Sequence, residues 1–433
     1  MNDQPLRFCM ITTFYPPYNF GGDGIFVHHL SNELARRGHH VEVIHCVDSY
    51  RMLGGQDPVG VYDDHPRVTV HGLKSPFGFL SPLATQQTGF PWFKAGPVRR
   101  ILERPFDVIN YHNISLVGGP KVLELGRAIK LYTMHEYWLV CPTHVLFRFN
   151  REACTRRNCF ICQIAYRRPP QMWRYSGLLQ KMAAHVDAFI SPSRYTMDKH
   201  RSLGFNFPMV HLPSFVASPE PASLSRDDGP GEGEAEPYFL FVGRLEKLKG
   251  VQTLIPIFRD YPEARLLIAG SGGYEPHLRQ LAGGSRNVRF LGHLTGARLQ
   301  GLYERAVALI APSLCYEVFS LVIAEAFSQR TPVIARNLGA SAEIVERSGG
   351  GLLYDTEDEL RQAVNRLVGD SSYRRELGQR GYEAYQQNWT VEAYLERYLS
   401  LVAELADRRS GRSSHASAGF EEGHGAGARG SSR

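Results

Sequence analysis

The sequence predicts an α/β protein made of two Rossmann-like domains. Three observations predict it. The chain has 433 residues, too many for one ordinary core and suited to two domains of roughly 200 residues each. Short β-branched or apolar runs alternate with helical stretches twice over, the pattern of βαβ units on parallel sheets. Between the two series lies Pro213–Pro237, rich in Pro, Gly, Ser and acids, too poor in apolar side chains to build a core and read as an interdomain linker.

The first domain, residues 1–212, opens with strand Phe8–Thr12, a glycine-bearing loop, a helix and strand Val41–Cys46. In the helix Phe26, Leu30 and Leu34 recur at helical spacing, and Gly38 follows as a stop. Runs at Asp107–Tyr111, Leu131–Met134 and Ala188–Ser191 continue the sheet to about His211. The second domain, residues 238–388, carries Tyr238–Val242, Arg265–Ala269, Val288–Leu291, Ala308–Ala311 and Pro332–Ala335. An amphipathic helix follows over residues 389–409, and Ser410–Arg433, a Gly/Ser/Arg/His tail, is expected to be disordered.

No apolar run approaches the roughly 20 residues of a membrane-spanning helix. Phe8–Thr12 ends at a polar, proline-containing loop rather than a cleavage site, so the expected compartment is the cytoplasm. Residues 1–212 carry 24 Lys and Arg against 15 Asp and Glu, whereas the remainder carries 25 against 28. Much of the basic excess lies in Arg148–Arg174, where seven arginines face Glu152 alone among interleaved aromatics. Such a stretch suits an anionic membrane surface, a polyanionic acceptor or a solvated face. No nucleic-acid partner is expected.

The most informative stretch runs from Ala311 to Glu325 as strand, loop and helix. A helix beginning near Ser320 presents the backbone N–H groups of Phe319, Ser320 and Leu321 above the sheet, an anion site into which a diphosphate fits. Glu325, about one turn inside that helix, is placed to accept from the two hydroxyls of a ribose. Glu317, in the loop, faces a hexose. Alone, the motif has a lesser second reading, as acids placed for the helix dipole. Arg244 and Lys249 lie on a Gly-flanked turn after a strand, where two cations converge on one diphosphate. Gly21 and Gly22, in Gly-Gly-Asp-Gly after the first strand, permit close backbone approach to phosphate or sugar, or form a plain flexible turn.

Read together, these pieces resemble the retaining glycosyltransferases of family 4, a group with the GT-B fold. The resemblance rests on Gly21-Gly22 through Val41, Phe241-Val-Gly-Arg-Leu, Leu267 to Gly273, Phe290-Leu-Gly-His293, the Glu317 and Glu325 pair, and Thr331-Pro-Val-Ile-Ala followed by Gly339. It spans residues 8 to about 390. It implies two Rossmann-like domains facing a cleft, with a C-terminal helix crossing back to the N-terminal one, and hexose transfer from a nucleotide-diphosphate sugar donor to a glycan or lipid-linked acceptor. Arg244 and Lys249 then hold the donor diphosphate, Glu325 the ribose and Glu317 the sugar. His293 joins the donor site, and His135 takes the place of the family's histidine near the sugar hydroxyls. The family carries Gly where this chain has Ser320, which still offers its N–H and is expected to cap the helix. Retention, no catalytic metal and peripheral contact with a membrane are further expectations. A nucleotide-sugar 2-epimerase of the same fold and a non-catalytic polyanion-binding protein remain as rivals.

Cys141, Cys154, Cys159 and Cys162 are four of the seven cysteines, spaced C-x12-C-x4-C-x2-C within an insert at 136–174. Four thiolates satisfy a tetrahedral Zn²⁺, and the nearby arginines are expected to lower the thiol pKa values. Structural zinc is the leading reading, with an iron–sulfur cluster, a redox disulfide or buried structural cysteines behind it.

Overall fold

The structure, a computed structural model, describes residues 4–54, 58, 62–217 and 236–418. Most of the expected linker, and the tail beyond Ala418, lie outside the described residues.

The first domain holds β1 (Arg7–Ile11), β2 (His40–Cys46), β3 (Val68–Leu73), β4 (Val108–Tyr111), β5 (Ile129–Thr133), a small hairpin of β6 (Phe147–Arg148) and β7 (Glu152–Ala153), then β8 (Ala188–Ser191) and β9 (Met209–His211). Seven of these form one parallel sheet in the order β3-β2-β1-β4-β5-β8-β9. The second domain holds β10 (Tyr238–Val242), β11 (Arg265–Ala269), β12 (Val288–Gly292), β13 (Ala308–Ala311), β14 (Val333–Arg336) and β15 (Gly351–Tyr354). Its parallel sheet runs β12-β11-β10-β13-β14-β15.

Parallel strands joined by helices are buried on both faces, which is why these runs read as continuously apolar. Along β1, Cys9 and Ile11 enter one core while Phe8 and Met10 enter the other. Along β10, Phe239 and Phe241 face one core, Tyr238 and Leu240 the opposite one. That is the two-residue period of a strand between two helical layers.

The last helix, Val391–Ala418, belongs structurally to the first domain. Its Val391, Tyr394, Tyr398 and Leu405 pack with Phe8, Met10 and Phe26, and Asn110 Nδ2 donates to Tyr398 Oη at 3.1 Å. Two details correct the expectation. Trp389 ends the preceding helix, Ser371–Asn388, and stays in the second domain's core, its ring 5.9 Å from that of Phe327. The final helix also runs past residue 409 into the expected tail. At that boundary Arg409 pairs with Asp187 at 2.7 Å, and the hydroxyl of Ser410, the first residue of that tail, bonds back to the Ala406 carbonyl at 2.8 Å.

Candidate active site

In an open α/β sheet, ligands bind at the carboxyl ends of the strands where the strand order reverses. The first sheet reverses between β1 and β4, the second between β10 and β13. The loops leaving those four strands face each other across a cavity of about 1160 Å³. Its walls include Gly21, Gly22, His135, Arg244, Lys249, Glu317, Phe319 and Leu321.

After β1, Gly21 precedes helix Gly22–Arg36. A Cβ on Gly22 would stand 3.1 Å from Cδ1 of Leu321, the first residue of helix Leu321–Ser328 in the other domain. Two helix N-termini, each with unsatisfied N–H groups and a partial positive charge, therefore meet across the cleft. Ser320 occupies the N-cap of the second helix but makes no side-chain cap bond, contrary to expectation. Its backbone is extended (φ −102°, ψ 93°), and the first-turn N–H groups are not taken up by its hydroxyl.

Gly250 lets the loop after β10 close on the loop after β13. It sits at φ +80°, and a Cβ there would lie 2.0 Å from the Pro312 carbonyl oxygen. This contact brings Lys249 Nζ to 2.7 Å from Glu317 Oε1, to which the Ser313 hydroxyl also donates at 2.7 Å. Burial works against both charges, yet each is held ionised by its partner. The Glu317 carboxyl lies below its usual range through Lys249 and Ser313, and the Lys249 ammonium above its own through Glu317. Arg244 shares the cavity wall but is more than half exposed and pairs with Glu246 at 2.8 Å.

Three expected donor residues stand elsewhere. Glu325 accepts from the Tyr303 hydroxyl at 2.7 Å, is pushed toward protonation by burial, and does not line the cavity. Ser320 is buried behind the wall. His293 is exposed at the end of β12, two strands from the point of reversal, and also lies outside the cavity.

His135 lines the cavity just beyond β5. Its Nε2 lies 2.9 Å from Nδ1 of His112, with the rings stacked at 5.1 Å. Burial pushes the His135 pKa down to about 4 against the opposing charge of Asp23, so the ring is neutral at pH 7. His112 is buried, and its Nε2 has no partner among the described residues. The bonding pattern assigns the tautomer. If His112 donates through Nδ1, only a lone pair is left in the apolar interior, and His135 keeps Nδ1–H as a donor. The sequence reading passed over His112. The signal was its place at the end of β4, the strand at which the first sheet reverses.

The first domain also holds the Glu317 loop directly. The Ser193 and Thr196 hydroxyls donate to the Val318 carbonyl at 2.9 and 3.1 Å. The amides of Arg194 and Tyr195, at the start of helix Arg194–Ser202, donate to the Glu343 carboxylate at 3.0 and 2.6 Å.

The family profile described as Glycosyltransferase Family 4 matches residues 20–216, and that of Glycosyl transferases group 1 matches residues 226–384. The chain is 35% identical over 395 residues to an uncharacterized glycosyltransferase of Methanocaldococcus jannaschii, covering 85% of this chain and 90% of that one. The chain belongs to glycosyltransferase family 4. Among solved structures, this glycosyltransferase shares its GT-B fold with sucrose-phosphate synthase of Thermosynechococcus elongatus (TM-score 0.71, 21% identity, 93% of this chain and 100% of that one). Anabaena HepE in complex with UDP-glucose is similar as well (TM-score 0.64, 18% identity, 93% and 100%).

The cysteine insert of this glycosyltransferase borders the cleft. Cys141, Cys154, Cys159 and Cys162 are free thiols around one small cavity of about 20 Å³. The Phe149 amide donates to Cys162 Sγ at 3.4 Å. Contrary to expectation, burial raises the thiols of Cys154, Cys159 and Cys162 despite the arginines nearby. No group of three or more His, Cys, Asp or Glu among the described residues is disposed to hold a metal ion. One of the seven arginines is held half-buried against aromatic rings. The Arg174 guanidinium lies over the rings of Trp138 and Trp173, 5.2 and 4.7 Å from their centroids, and burial lowers its pKa to about 10.

Proposed function

We propose that this glycosyltransferase moves a hexose, with retention, from a nucleoside-diphosphate sugar to a glycan or lipid-linked acceptor at the cytoplasmic face, in cell-surface polysaccharide or glycolipid synthesis. One observation carries the reading. Two facing helix N-termini and the cations of Arg244 and Lys249 share one large cavity, and an anion of diphosphate size suits that arrangement. The UDP-glucose complex of a protein with the same fold supports the donor class.

In this reading the bond from the anomeric carbon to the diphosphate breaks as the acceptor oxygen bonds to the same face. The acceptor proton passes to the departing diphosphate oxygen. Arg244, Lys249 and the N–H groups at Leu321 stabilise the charge growing on that oxygen, and no metal takes part. Glu317, kept ionised, and His135, donating through Nδ1, orient the sugar hydroxyls. Glu325 takes the ribose by exchanging its Tyr303 hydrogen bond for the two ribose hydroxyls.

The test is to screen UDP-, GDP- and ADP-sugars for thermal stabilisation of the protein, and then to follow nucleoside diphosphate release with and without acceptor. Acceptor-dependent release with an unchanged anomeric configuration is expected. Conversion of the donor alone would make the protein an epimerase, and absence of any donor effect would reject the reading. Structural zinc on the four thiols is a separate proposal, since the ion would have to draw them together. About one zinc per chain is expected by elemental analysis.

A further inference from the structure

The first domain leaves apolar side chains in water that the second does not. Among the described residues, every strongly exposed large hydrophobic side chain lies between Phe20 and Val210. The densest of them fall in two segments, 77–93 and 160–175, which are stitched together: Trp173 Nε1 donates to the Gln86 carbonyl at 2.8 Å and Gln87 Nε2 to the Pro169 carbonyl at 3.5 Å.

Helix Cys159–Ala165 is amphipathic in the wrong sense for a core helix. It buries Cys162 and Gln163 and exposes Phe160 (45%), Ile161 (53%) and Ile164 (54%). On the adjoining segment Phe77, Phe79 and Trp92 are 53%, 60% and 63% exposed. Scattered exposed hydrophobics are ordinary, but two segments tied to each other that each leave several in water mark a surface that meets something apolar.

Charge says what that something is. Arg151, Arg156, Arg167 and Arg168 flank the exposed helix in sequence, are themselves exposed, and pair with no carboxylate among the described residues. The nearest acid in sequence, Glu152, is taken by Arg148. A second copy of this chain would bring a like-charged rim, which repels. A surface that is apolar beneath an anionic layer suits both features at once, with aromatic rings at headgroup level and guanidinium groups among phosphates. The face is also continuous with the cleft, because Gln86, Arg167, Arg168 and Pro169 line the large cavity.

We infer that helix Cys159–Ala165 and the 77–93 segment form a face that docks on an anionic lipid bilayer beside the acceptor side of the cleft. This rests on the reading of the cleft as a transferase site. It adds that the acceptor is presented from the membrane, so that its sugar end enters between the domains while its lipid end stays in the bilayer.

The full chain is sedimented with vesicles of phosphatidylcholine alone or with phosphatidylglycerol. Binding to the anionic vesicles, weakened by salt, is expected. The triple variant Phe160→Ser, Ile161→Ser, Ile164→Ser and, separately, Trp92→Ser should each lose binding, the triple by roughly tenfold or more. Both should keep the wild-type melting temperature and the wild-type response to nucleotide sugars. Failure of the wild type to bind anionic vesicles at low salt overturns the inference and leaves the donor reading intact. Light scattering that shows a dimer abolished by the triple variant, without vesicle binding, assigns the face to a second copy instead. Vesicle binding by a protein that no nucleotide sugar stabilises keeps the face and rejects the transferase reading of the cleft.

Discussion

Lys249 and Glu317 do two jobs that mutation separates. Removing Lys249 takes a cation from the diphosphate and leaves the Glu317 carboxylate half-buried with only the Ser313 hydroxyl on its bonded oxygen. Lys249→Ala should therefore lower kcat by about 10²-fold or more and destabilise the fold by about 3 kcal/mol. Arg244, more than half exposed, should show the kinetic loss in Arg244→Ala with an unchanged melting temperature. Equal stability losses in the two variants would contradict the pairing. Glu325→Ala should raise the donor KM with a smaller effect on kcat, because a ribose contact exists in ground and transition states alike. An unchanged KM would remove Glu325 from the site. His135, with its pKa near 4, stays neutral from pH 8 down to about 5.5, so titration of this ring should leave donor binding flat over that range. A donor affinity that changes with an apparent pKa near 6.5, and does so only while His135 is present, would show an imidazole that is not buried. The residue types were legible in the sequence. Their pairings were not, because the approach of Lys249 to Glu317 depends on two loops closing over Gly250, and no spacing along the chain encodes it.

Strand recognition failed at three of the four sheet edges. The runs read from the sequence became β1, β2, β4, β5 and β8 in the first sheet and β10 to β14 in the second. The three main-sheet strands that were passed over, β3, β9 and β15, are all edge strands. β3 buries only Leu73, β9 has three residues and β15 begins with glycine. An edge strand is covered less by helices and so lacks the continuous apolar run that makes a central strand visible. At the same scale, helix Arg194–Ser202 of the first domain points its N-terminus at Glu343 of the second. A carboxylate on a helix N-terminus is a favourable contact that holds the domains together. Glu343→Gln should loosen it. Small-angle scattering should show a larger radius of gyration in the free protein, and the donor KM should rise. An unchanged radius would mean that the hydroxyl contacts to Val318 suffice.

For the whole molecule, buried neutral histidines set the acid limit. His45, His135, His200 and His211 are all held at about 4 from an ordinary value of 6.5, with burial as the leading cause in each. The unfolded chain takes up these protons first. The stability they contribute is complete above about pH 6.5 and is lost as the pH falls toward 4. Differential scanning fluorimetry should find a melting temperature that declines across that window, before most carboxylates titrate. A flat profile down to pH 4.5 would mean that these rings are reached by water.

The last helix closes the first domain's core, with Tyr394, Tyr398 and Leu405 laid against Phe8 and Met10. During synthesis, the first domain emerges from the ribosome with that seam open, and it stays open until the entire second domain has been translated. Completion of the first domain thus waits on a helix that is made after the second. A nascent chain arrested after Asn388 should expose an apolar groove for chaperones to hold, and a peptide spanning Val391–Arg409, added in trans, should compete with them for it.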